Sequence, residues 1–210
     1  MSASKPAASW MGLLAAATAH DINNLVHGFS ISDATEWADC AQDCVEPLRK
    51  LGVRLRTLAT ACEAEGSAHL DDACTDALTE ADPNGGRVIR AALSRAGSRV
   101  RGTDAAVRTA IASLVEHALA ASPTGAAIRV AVRDDPPAAM TVEIAAPEAT
   151  ELGLIPAERL DALLATTLRD LRGDFSLVLP GAIADAVGGT VTVASSPDSG
   201  LLLALHLAVA

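Results

Sequence analysis

Aromatic side chains are nearly missing from this sequence. Its 210 residues hold two Trp, two Phe and no Tyr, 2% in all. A core without that bulk has to be filled by Ala, Leu and Val. Half the residues are apolar, enough for a packed globular chain of one or two small domains, which excludes a disordered one. Basic residues are also scarce: 16 Lys and Arg stand against 26 Asp and Glu, a formal net charge of −10. Without a basic patch the chain is not expected to bind nucleic acid, and the acidic surplus reads as solubility. The four cysteines, Cys40, Cys44, Cys62 and Cys74, form no C-x-x-C pair, and three of them fall on apolar helix positions. They are expected to be reduced thiols in a core, with no metal site and no disulfide framework. No apolar run reaches the roughly 18 residues that a membrane span needs. The run Leu13–Ala17 is short and is followed at once by His20 and Asp21, so it is not read as a signal peptide. The expectation is a cytoplasmic protein without a membrane partner.

What is present begins with Ala19-His20-Asp21-Ile22-Asn23-Asn24-Leu25, a histidine, an acid and two amides inside an Ala/Leu-rich helical stretch. Trp10, Leu13, Leu14 and Ala17 recur at helical spacings of three and four, and Asp21 and Asn24 continue that stripe. His20 and Asn24 fall on one face, a turn apart. After a break at Ser30–Asp33, a second helix is expected over 33–65. There Trp37, Ala41, Cys44, Leu48, Leu51, Leu55, Leu58 and Cys62 alternate steps of four and three, an a/d seam, with Pro47 marking a kink. A hairpin of two such helices cannot bury both stripes alone. Pairing two hairpins into a four-helix bundle would, so a homodimer is expected; the alternative is that the hairpin packs on the C-terminal part of its own chain.

Glu65-Gly66-Ser67 reads as a linker, which divides the chain into 1–66 and 67–210. Beyond it, His69–Asp72 is expected as a short strand, Ala73–Ala81 as a helix, and Arg87–Leu93 as a strand. Gly102-Thr103-Asp104 opens a helix to Ala121. Strict alternation over 127–133, the turn Asp134-Asp135-Pro136-Pro137 and the run 140–145 form a hairpin. Helices over 156–171 and from Pro180 to Val187, the latter capped by Gly188-Gly189, precede a final hairpin of 190–194 with 201–207. The fold class is α+β: one mixed sheet with helices on one face.

These residues resemble bacterial sensor histidine kinases over nearly the whole chain. Ala19–Asn24 is similar to their phosphoacceptor box, A-H-E-(I/L)-(N/R)-(N/T)-P, with Leu25 in place of the proline. The hairpin resembles their dimerisation and phosphotransfer domain, and the C-terminal α/β sandwich resembles their ATP-binding domain in layout. Val107–Ser122 is similar to the helix carrying the N box, and Ala186–Val193 with Pro197–Gly200 to the closing segment.

The departures from that pattern fall on the nucleotide elements. His117 stands where the resemblance implies a magnesium-binding Asn, and Ser113 where it implies the other N-box Asn. Ala145-Ala146-Pro147-Glu148-Ala149 replaces the D-x-G-x-G motif that holds adenine. Asp174-Phe175-Ser176-Leu177 stands in place of the glycine-rich lid, whose bare backbone amides cradle phosphates. Three losses together point away from ATP. The resemblance then narrows to histidine phosphotransferases derived from such kinases, which implies a phosphoryl group carried on His20 between receiver-domain aspartates. The catalytic set is His20, Asp21 and Asn24: a neutral imidazole nucleophile, an acid that orients it or accepts its proton, and an amide for the phosphoryl oxygens or a water. No cofactor or resident metal is expected, since the receiver supplies the magnesium and a lysine. The expected partners are a second copy of the chain, response-regulator receiver domains and a hybrid or upstream histidine kinase. The rival readings are a divergent ATP-dependent sensor kinase and a non-enzymatic scaffold or inhibitor that docks on a kinase or regulator. His69, His117 and His206 are read as structural.

Overall fold

The computed structural model describes residues 66–93, 98–135, 139–149, 175–196 and 200–210, together with Arg49, Gly52, Val53, Leu55, Arg56, Leu58 and Ala59. The elements in order are β1 (Ser67–His69), α1 (Leu70–Ala81), β2 (Val88–Leu93), β3 (Arg99–Arg101), α2 (Asp104–Ala121), β4 (Ile128–Asp135), β5 (Ala139–Ala146), α3 (Phe175–Ala186), β6 (Thr190–Ser196) and β7 (Gly200–Ala208). The helix expected over 156–171 lies outside the described residues.

Alternation of apolar and polar residues builds the main sheet, whose five strands run in the order β2-β4-β5-β7-β6. β2 is parallel to β4, and every other neighbouring pair is antiparallel. One face carries Val130, Val132, Met140, Val142, Ile144, Leu201, Leu203, Leu205 and Leu207, all buried. On it lie α2, which touches β5 and β7, and α3, which touches β6 and β7; α1 packs against α2. Among the described residues no helix lies on the other face, which is more polar. There His206 bridges two strands, with Thr141 Oγ1 2.8 Å from its Nδ1 and Thr192 Oγ1 3.2 Å from its Nε2. Arg133 pairs with Glu143 at 2.9 Å on the same face. The mixed sheet with helices on one face is thus as expected.

Two departures concern the start of the domain. The strand expected at His69–Asp72 lies earlier, at Ser67–His69, and Leu70 already opens α1. The strand pairs with Arg99–Arg101, a three-residue element that the sequence reading passed over. The reason is tertiary: the N–H of His69 is held by Asp104 Oδ1 at 3.1 Å, and the N–H of Leu70 by Ser98 O at 3.0 Å. These long-range partners end the strand where alternation alone would have continued it. Cys74, on the inner face of α1, is a free buried thiol whose pKa burial pushes up to about 12, so it is an inert core group, as expected.

Arg87 fastens the start of β2 to the end of α2. Its guanidinium donates to Leu119 O in the last turn of the helix at 3.3 Å, and to Pro123 O at 3.0 Å and Ala126 O at 3.1 Å in the loop that follows.

The remaining correction is to α3, expected from Pro180 but beginning at Phe175, with Pro180 inside it. Proline there has no N–H for the carbonyl four residues back, a cost in an isolated helix. Burial outweighs it: every residue from Leu177 to Ala184 is buried, so the helix is apolar all round and wrapped by the core. Its end is a Schellman cap. Gly188, at φ 75°, gives its N–H to Asp185 O at 3.2 Å, and Gly189 gives its own to Ala184 O at 2.7 Å.

The described residues between 49 and 59 are helical. Leu58 is 4% exposed and belongs to the same hydrophobic core as α1, α2 and the sheet, and Leu55 packs against that core. Two positions of the expected a/d seam, Leu55 and Leu58, therefore pack on the chain's own C-terminal domain, and the other seam positions and the expected homodimer contact lie outside the described residues.

Candidate functional site

His20, Asp21 and Asn24 lie outside the described residues. The structure speaks instead to the region where the sequence predicts a lost nucleotide site, built from α2, the end of β5 and the start of α3.

α2 starts at Thr103, whose hydroxyl accepts the N–H of Ala106 at 3.2 Å while its carbonyl accepts that of Val107 at 3.0 Å. A helix lying on a sheet normally leaves one stripe in water. The middle of α2 does not: the six consecutive residues Ala110 to Val115 are all buried, which requires cover on every side. Ser113 is 3% exposed and His117 7%. Burial lowers the His117 pKa, because the interior disfavours the imidazolium, and the ring is neutral at pH 7.

Thr109, Ala112, Ser113 and Glu116 fall at steps of three and four and line one cavity of about 480 Å³. Its other described walls are Glu80, near the end of α1, and Arg49 and Val53 from the second hairpin helix. Arg108 approaches Glu80 only to 3.8 Å, and both side chains are well exposed, so that ion pair adds little.

At the end of β5, Ala146–Ala149 closes as a tight turn, with Ala149 N–H to Ala146 O at 3.1 Å. The turn is pressed against Gly200. A Cβ at Gly200 would strike Ala146 O and come within 2.5 Å of Pro147 O, and its φ of 69° is left-handed. Among the described residues this corner holds no Asp. Where the glycine-rich lid would stand, Phe175, Ser176 and Leu177 form the first turn of α3.

At the two positions where the resemblance implies amides, α2 offers a buried neutral imidazole and a buried hydroxyl, and Glu116 and Glu80 put carboxylates on the same cavity. Among the described residues no group of three or more His, Cys, Asp or Glu could hold a metal ion. The losses at His117 and Ser113 were legible as substitutions. The cavity and the approach of Arg49 and Val53 were not, because nothing in the heptad pattern names the surface on which a stripe is buried.

No family model and no curated protein matches the sequence. Solved structures do resemble the fold. The Acinetobacter baumannii histidine kinase AdeS aligns over 95% of this chain and 95% of its own, at 16% identity and a TM-score of 0.56. The mycobacterial sensor histidine kinase MprB aligns over 70% of this chain and 98% of its own, at 14% identity and a TM-score of 0.56. The ATP-binding domain of PrrB from Mycobacterium tuberculosis aligns over 70% of this chain and 98% of its own, at 17% identity and a TM-score of 0.52. At such identities the likeness is one of fold: the C-terminal domain has the architecture of a histidine-kinase ATP-binding domain. No described helix is long and apolar enough to cross a membrane.

Proposed function

We propose that this chain is a histidine phosphotransferase of bacterial two-component signalling, with residues 1–66 as a dimerising phosphotransfer hairpin and 67–210 as a kinase-type domain that has given up nucleotide. The observation that carries this reading is the joint loss at three places in a kinase-like fold: buried neutral His117 on α2, the Asp-free corner after β5, and helix in place of the lid.

The phosphoryl group would then come from another protein. An imidazole nitrogen of His20 attacks the phosphorus of a receiver's aspartyl phosphate. The N–P bond forms as the P–O bond breaks, and the carboxylate leaves on the receiver. Asp21, beside His20, holds the proton on the other ring nitrogen and offsets the positive charge of the phosphorylated imidazole. Asn24, a turn away, hydrogen-bonds the phosphoryl oxygens. The reverse reaction delivers the group to a second receiver. The receiver brings its own magnesium, so the chain needs no metal of its own.

The test is labelling from a radiolabelled phospho-receiver. The wild-type chain acquires an acid-labile, base-stable label, and His20→Ala acquires none. Labelling by ATP alone, or transfer that survives His20→Ala, would overturn the proposal.

A further inference from the structure

The stripe of α2 that once faced nucleotide in this fold has a cover, and the described residues across from it belong to the hairpin. Thr109, Ala112, Ser113 and Glu116 share a cavity with Arg49 and Val53, which lie one turn apart in the second hairpin helix. A few residues further on, Leu58 is sunk in the core of the C-terminal domain and Leu55 rests on it. Two flanks of the helical segment are thus in use: Leu55 and Leu58 pack on the core, while Arg49 and Val53 line the cavity. α1 and α3 flank α2 and the sheet lies beneath it, so this stripe is the side left for another element to close.

We infer that the second hairpin helix, anchored in the core by Leu55 and Leu58, roofs the cavity over the Ser113–Glu116 stripe of α2 with Arg49 and Val53 and holds the C-terminal domain in one fixed position on the hairpin. The dock denies the C-terminal domain the freedom to swing toward the histidine of the first helix. In this chain the domain is a fixed support, with the hairpin itself as its ligand. The inference rests on the placement of α2 and does not depend on phosphotransfer through His20.

Photo-crosslinking decides it. Val53 is 56% exposed, so a benzoylphenylalanine placed there does not disturb the core. The full-length protein is prepared in light and heavy isotopic forms, mixed, allowed to exchange subunits, irradiated and digested. The expected product joins position 53 to the peptide containing Thr109–Glu116, with both halves carrying the same isotope. The same product is expected in a His20→Ala background, which separates this test from the phosphotransfer assay. Mixed-isotope products alone would mean that the α2 stripe meets a second chain, and absence of any α2 product would mean that the stripe is covered by something else. Either result overturns the inference.

Discussion

His117 is the residue on which acid should act first in the C-terminal domain. It is buried, and burial lowers its pKa below the ordinary histidine value of 6.5. In the unfolded chain the imidazole takes up a proton as pH falls through 6.5, while in the folded chain it resists. Between the two pKa values the unfolded state therefore binds more protons, and stability falls with decreasing pH. The group's contribution is fully present above pH 6.5 and is lost as pH drops toward the folded value. One proton's difference gives a limiting slope of about 1.4 kcal/mol per pH unit. The perturbation is His117→Gln, which retains a polar side chain and removes the titration. The assay is urea denaturation of both proteins at a series of pH values from neutral downward. The gap between the two stability curves should narrow steadily below pH 6.5, because the wild type alone carries this loss; taking the difference cancels the other histidines. Parallel curves across that range would mean that His117 titrates alike in both states, and the account of α2 as a helix covered on every side would be wrong at that position.

Two further outcomes follow from packing. Leu58→Ala should destabilise the unfolding transition of the C-terminal domain by about 2–4 kcal/mol, the usual range for a buried leucine, whereas Val53→Ala, at an exposed position, should stay within about 0.5 kcal/mol; the two are compared by urea midpoint. Gly200→Ala should cost several kcal/mol or abolish folding, since it adds a clash with the backbone of Ala146 and Pro147 to a left-handed φ. A melting temperature close to wild type would show that the corner after β5 yields easily.

Where local chemistry decides the structure, the sequence could be read. Thr103 and Asp104 announce α2, Gly188 and Gly189 end α3, and alternation over 127–133 marks β4. Where distant partners decide it, the reading went astray. β3 is three residues long and exists because Ser67–His69 pairs with it, and no periodicity can register in three residues. Pro180 looked like a helix start because its local cost is plain, whereas the burial that overrides it comes from the whole core. At the candidate site the replaced residues, His117 and Ser113, stood in the sequence. The use of Leu55 and Leu58 did not, because spacing of three and four says that a side is covered and is silent on the cover.

The pairing of β5 with β7 has a bearing on which parts of the domain can vary. Eight consecutive residues of β5, Ala139 to Ala146, are in register with β7, and Ala146 faces Leu201. The chain between those two residues supplies α3 to the core and β6 to the sheet, and the β5–β7 ladder joins the two strands that flank it. Only the loops outside α3 and β6 can change length freely: doubling such a loop changes the closure entropy by only about 0.6 kcal/mol. A change in their length is almost invisible to the stability of the sheet, whereas a change within α3 or β6 is not.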